Sequence, residues 1–128
     1  LKNQILLVRQ WRYPIKKESL ELRSGHVEEN DTPLDAAKRE LEEEADGKSN
    51  NWQYLGFHWQ GIGCMKIKGH IYLAREVKVK NKNHFEKTES LYLELVNFED
   101  AISQVKRGNI RDQYSQLGIL LADKFLHN

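Results

Sequence analysis

One segment, Thr32 to Gly47, constrains this chain's fold more than any other. Thr32-Pro33-Leu34-Asp35 reads as an N-cap, a proline at the first helical position and an acid at the third, a capping-box variant. The helix runs to about Ala45 and stops at Asp46-Gly47, because both residues tolerate the left-handed geometry of a helix end. With both ends set, the faces are set. At about 100° per residue, Glu40, Glu43 and Glu44 share one face. Leu34, Ala37, Leu41 and Ala45 fall on an adjacent face suited to a core. Three carboxylates on one face repel each other. A hard divalent cation removes that repulsion and takes oxygen ligands. A solvated acidic face is the plainer alternative for these three residues alone. The context upstream is Gly25, a turn glycine between a strand and the capped helix, whose neighbour's backbone carbonyl could point at the same metal.

The other segments supply a sheet. Ile5 to Val8 is an apolar run that reads as a buried strand, continued by Arg9 to Arg12 and broken at Tyr13-Pro14. Ser19 to Leu22 is a second short strand, ending at Ser24-Gly25. Trp52 to Trp59 and Ile67 to Val77 are aromatic and β-branched, hence strands, with the turn Gln60-Gly61-Ile62-Gly63 between them. Leu91, Leu93 and Leu95 alternate with Tyr92 and Glu94, a strand with one buried face. Asn97 caps a short helix through Arg107, ended by Gly108. Ile110, Tyr114, Leu117, Leu121 and Phe125 recur at helical spacing, a C-terminal amphipathic helix. This order predicts an α/β fold with a sheet between helices.

Composition narrows the function. At 128 residues one compact domain is expected, residues 1–128. A hydrophobic share of 39% and a net charge of +1 exclude a disordered chain. That charge also gives no global field for nucleic acid or an anionic membrane, so neither is expected as a partner. The single cysteine, Cys64, suggests a reducing compartment. No apolar run approaches the roughly 20 residues that span a bilayer, and no signal peptide is visible. A cytoplasmic protein is the expectation. The chain begins at Leu1 without an initiator Met, which leaves room for a preceding segment.

Gly25, then Asp31 six residues on, then Arg39-Glu40-Leu41-Glu42-Glu43-Glu44 eight further, resembles the box of the Nudix hydrolases. That box reads Gly, five residues, Glu, seven residues, Arg-Glu-apolar-any-Glu-Glu-any-Gly-apolar. Asp31 stands where Glu is usual and keeps the charge that could hold Arg39. Asp46 stands where the last Gly is usual, with Gly47 displaced by one. The likeness extends over nearly the whole chain to the ADP-ribose pyrophosphatase branch. Gln10-Trp11-Arg12 matches its Gln-aromatic-Arg, and Glu21-Leu22-Arg23-Ser24-Gly25 its Glu-any-Pro-Ala-Gly, with Arg23 for Pro and Ser24 for Ala. Glu89-Ser90-Leu91-Tyr92-Leu93 and Gly108-Asn109-Ile110-Arg111-Asp112 resemble its closing part.

The resemblance implies the Nudix α/β/α sandwich with a mixed sheet. It implies metal-dependent hydrolysis of the diphosphate in ADP-ribose or a related nucleoside diphosphate sugar. Glu40, Glu43 and Glu44, with the Ser24 carbonyl, would bind magnesium or manganese. Arg12 would touch the substrate diphosphate, a job suited to a planar guanidinium, with Trp11 and Glu21 beside it. Arg39 joins the catalytic set, and Glu86 or Glu89 would be the general base, Glu89 favoured for its place at the start of a strand. The branch usually carries extra N-terminal strands used in dimerisation, so a homodimer stays open. One departure bears on the substrate: Gln60 to Lys66 replaces a loop that in relatives carries Ser-Pro-Gly and a nearby Glu, with a lysine for the acid. The alternatives are another nucleotide substrate, such as a dinucleotide or nucleoside triphosphate, and a Nudix fold that binds nucleotide without turnover. His58, Cys64 and His70 match no common zinc spacing. Trp11, Trp52 and Trp59 either stack on a base or pack in the core.

Overall fold

The computed structural model describes residues 3–25, 27–80 and 91–127. Strand β1, Gln4–Arg12, is the centre of the molecule. It pairs antiparallel with β2, Lys17–Glu21, on one edge and with β7, Leu91–Asn97, on the other. Its apolar run does not alternate because both its faces are covered. Leu7, with Ile5 beside it, packs against Phe98, Ala101, Ile102, Ile119 and Ala122. These come from α2, Phe98–Lys106, and α3, Gln113–Leu126. Val8, with Leu6, packs on the other face against Leu93, Leu41 and Ala45. Leu41 and Ala45 belong to α1, Pro33–Ala45. Helices on both sides of one sheet make the α/β/α layering that the sequence predicts.

The caps fall where the sequence places them. Thr32 Oγ1 accepts from the Asp35 amide at 3.1 Å, and Asp46 takes the left-handed end of α1 at φ 50°. Asn97 Oδ1 accepts from the Glu99 amide at 2.9 Å to start α2. Other boundaries shift. β2 begins at Lys17, two residues before Ser19, because the tight turn at Tyr13–Ile15 sets Lys17 opposite Arg12 and the ladder starts there regardless of polarity. The C-terminal helix starts at Gln113 because Asp112 caps it; Ile110 lies before the helix yet is wholly buried. In β7, Leu93 is buried but Leu95 is 47% exposed, so the buried face fades along the strand.

The long hairpin of β4, Asn51–Gln60, and β5, Ile67–Arg75, stands beside α1 and α3, with a bulge between Tyr54 and Gly56. The short strands β3, Gly47–Lys48, and β6, Lys78–Val79, pair next to the end of α1. β5 ends at Arg75, short of Val77, since Glu76 turns the backbone to φ 54°. Every strand pairing among the described residues is antiparallel, where the sequence led us to expect a mixed sheet. Among them no helix is long and apolar enough to cross a membrane.

Candidate active site

Strand alternation sorts the functional side chains. Val8, Gln10 and Arg12 point to the α1 side of the sheet, and Glu21, directly opposite Val8, points the same way. Glu21 is 5% exposed, and a buried carboxylate needs partners. Arg12 supplies a fork: Nε donates to Oε2 at 2.8 Å and Nη2 to Oε1 at 2.5 Å. Gln10 Nε2 adds a third bond at 3.3 Å. Burial pushes the Glu21 carboxyl up, but hydrogen bonds from Arg12, Ser19 and Gln10 and the charge of Arg12 outweigh it and hold Glu21 below its ordinary value. Arg12 itself remains about half exposed, with a face free to meet a ligand. Trp11, one residue earlier, points away from Arg12 and is 49% exposed. The strand turns it away from Arg12 and Glu21, although the resemblance implies that the three meet the substrate together.

From β2 the chain runs into the segment before α1. The Leu22 amide donates to Ser115 Oγ at 2.8 Å, and Ser115, fully buried, donates in turn to Asp112 Oδ2 at 2.6 Å. This ties the start of the site to α3. Ser115 does not stand out in the sequence, and Asp112 enters only as the last residue of the Gly108 to Asp112 segment that resembles the closing part of the branch. Gly25 is needed for space. Its φ is not in the left-handed region, but a Cβ there would collide with the Glu40 carboxylate. The glycine read as a turn residue is therefore a seat for a glutamate from α1.

Glu40 and Glu44, one turn apart, both face Arg23: its Nη2 lies 2.7 Å from Glu44 Oε1 and 4.0 Å from Glu40 Oε2. Glu43 is more exposed and lends its charge to Arg39. Arg39 contacts Asp31 and lies 3.9 Å from Glu28. That hydrogen bond lowers the Asp31 carboxyl and raises the guanidinium. Asp31 thus holds Arg39 as its charge suggested, and Arg39 ties the preceding loop to α1. Among the described residues, no three His, Cys, Asp or Glu side chains stand in a metal-holding group. The donors at Glu40, Glu44 and the adjoining Ser24 segment are hard oxygens, and two of the carboxylates already converge on one cation. Their chemistry suits magnesium or manganese. Glu86 and Glu89 lie outside the described residues.

A cleft of about 700 Å³ gathers these groups. Arg12, Glu21, Arg23, Ser24, Glu40 and Glu44 line it on one side. The hairpin and α3 bring His58, Lys68, Tyr72 and Tyr114 to the other. His58 Nε2 is buried without a hydrogen-bond partner, its ring over Gly69 and 5.8 Å from that of Tyr114. In the sequence His58 stands out only as a strand histidine and, with Cys64 and His70, as a set that matches no common zinc spacing. His70 instead bonds Tyr54 at 2.9 Å, and Cys64 is exposed, so the three do not form a zinc set.

The family model for the NUDIX domain matches residues 1–116. The chain belongs to the Nudix family. It is similar to an ADP-ribose pyrophosphatase of Bacillus subtilis, 28% identical over 122 residues that cover 89% of this chain and 66% of that protein. It is also similar to a methanol dehydrogenase activator of Bacillus methanolicus, 26% identical over 118 residues that cover 91% of this chain and 64% of that protein. This Nudix chain thus spans just under two thirds of the length of the curated relatives it matches. A solved structure described as an ADP compounds hydrolase superposes with a TM-score of 0.83 at 16% identity, covering 98% of this chain and 68% of that one, and shows a shared fold.

Proposed function

We propose that this Nudix protein hydrolyses the diphosphate of ADP-ribose or a related nucleoside diphosphate sugar, with magnesium or manganese as cofactor. The observation that carries the reading is the Arg12–Glu21 fork, set in one cleft with Glu40 and Glu44. Glu21 fixes the plane of the guanidinium, and Arg12 presents its remaining donors to an anionic diphosphate. Glu40, Glu43 and Glu44, with the Ser24 carbonyl, would hold the metal. Such an ion, when bound, neutralises phosphate charge and acidifies bound water. Glu89 or Glu86 would take the proton of the attacking water. Water adds to one phosphorus, the bridging P–O bond breaks, and AMP and ribose 5-phosphate leave. The small-molecule nucleotide is the only partner this requires. Similarity to an ADP-ribose pyrophosphatase supports the substrate.

A panel of nucleoside diphosphate sugars, dinucleotides and nucleoside triphosphates, each with magnesium or manganese, tests this by product identity. ADP-ribose should be cleaved fastest. Faster cleavage of a dinucleotide or triphosphate would move the substrate within the family. The Arg23 contact with Glu44 favours a second reading, a domain that binds nucleotide without turnover. That reading is selected if metal binds and no member of the panel is cleaved.

A further inference from the structure

Arg23 occupies the place between the two glutamates that the proposed metal would share. Its backbone is held on one side, where the Leu22 amide is tied to buried Ser115, and two residues on Gly25 leaves room for the Glu40 carboxylate. The side chain is 27% exposed, against 22% and 37% for Glu40 and Glu44, so the ion pairs are partly shielded from water. Nη2 reaches Glu44 Oε1 at 2.7 Å, while Nε is buried without a partner. Arg12 differs, since its Nε and Nη2 are both bonded to Glu21. Arg23 therefore leaves one donor unmet and commits its far end to the acidic pair. A divalent ion coordinated at Glu44 Oε1 would sit within roughly 4–5 Å of that guanidinium, from ordinary metal–oxygen and ion-pair lengths. Charges of +2 and +1 at that range repel, and the low polarity of a half-buried site strengthens the effect.

We propose that Arg23 is a tethered competitor of the metal: it neutralises Glu40 and Glu44 in the metal-free chain and must leave Glu44 before the ion binds. Arg23 thereby sets metal affinity and keeps the acidic cluster stable without metal. The inference rests on the metal-site reading above.

The test is manganese binding to the full chain, by calorimetry and by the electron paramagnetic resonance of free manganese, with melting of the metal-free protein alongside. Arg23→Met keeps the stem and removes the charge. It should bind manganese about fivefold more tightly or better, the scale of one partly exposed ion pair, and melt lower without metal. Arg23→Lys should fall between, since a point charge retains only part of the contact; it also serves if Arg23→Met does not fold. Unchanged or weaker manganese binding in the charge-removing variant would overturn the competition while leaving the metal site standing. If neither wild type nor variants bind manganese, the metal-site reading falls and this inference with it.

Discussion

Glu21 is a buried carboxylate whose worth depends on its partners. Replacing it with Gln leaves Arg12 without its counter-charge and should cost about 1–3 kcal/mol near neutral pH. Its folded pKa lies below the ordinary value, so this stabilisation is present in full above the unfolded value of about 4.3 and fades as pH falls through the folded one. The gap between urea melts of wild type and Glu21→Gln should therefore hold from pH 7 down to about 4.3, the unfolded value, and narrow as the pH falls further. A constant gap would show that Glu21 is not the titrating group. At Arg12 the fork matters more than the charge. Arg12→Ala should lower kcat/KM about 10- to 100-fold, the scale of a hydrogen bond to a charged group, and should also lower the melting temperature, because it strands the buried Glu21 carboxylate. Arg12→Lys should restore only part of it. Equal rates in wild type and Arg12→Ala would remove Arg12 from the substrate.

Helix α1 is the element most legible in the sequence, because capping and phasing are local. Thr32 and Asp46 fix its ends, and the 100° step alone carries Glu40 and Glu44 to one side while Glu42 points to Lys48, 3.6 Å away at the exposed end. Kinetics can check that phasing. Glu44→Gln should lower turnover by roughly 10²–10³, the scale for a main electrostatic element, whereas Glu42→Gln should change it little; equal losses would contradict it. Three features were not legible, for one reason. Gly25 as a seat for Glu40, Ser115 as the anchor of Leu22, and Arg23 between the glutamates all depend on contacts between elements far apart in the chain. No period or cap records them. Ser115→Ala strands the Leu22 amide and should destabilise the chain by about 1–3 kcal/mol. Thermal melts of that variant would show whether α3 holds the site.

At the scale of the molecule, the site is where three layers meet: the β1–β2 edge supplies Arg12 and Glu21, α1 the glutamates, and the hairpin with α3 the far wall. The helix–sheet–helix layering followed from alternating element types, but the expectation of a mixed sheet did not carry to the described pairings, since strand direction depends on which edges meet. Trp11 shows the same limit within one motif. Gln10-Trp11-Arg12 is contiguous in sequence, yet a strand sends Trp11 to the face opposite Gln10 and Arg12. The most direct test of the central claim is ADP-ribose cleavage by wild type and Glu44→Gln, with manganese and with excess chelator, read by separating AMP from ribose 5-phosphate. The account predicts both products from wild type with manganese, and little of either from the chelated enzyme or the variant. Equal cleavage with and without metal, or no cleavage by wild type carrying bound manganese, would contradict it.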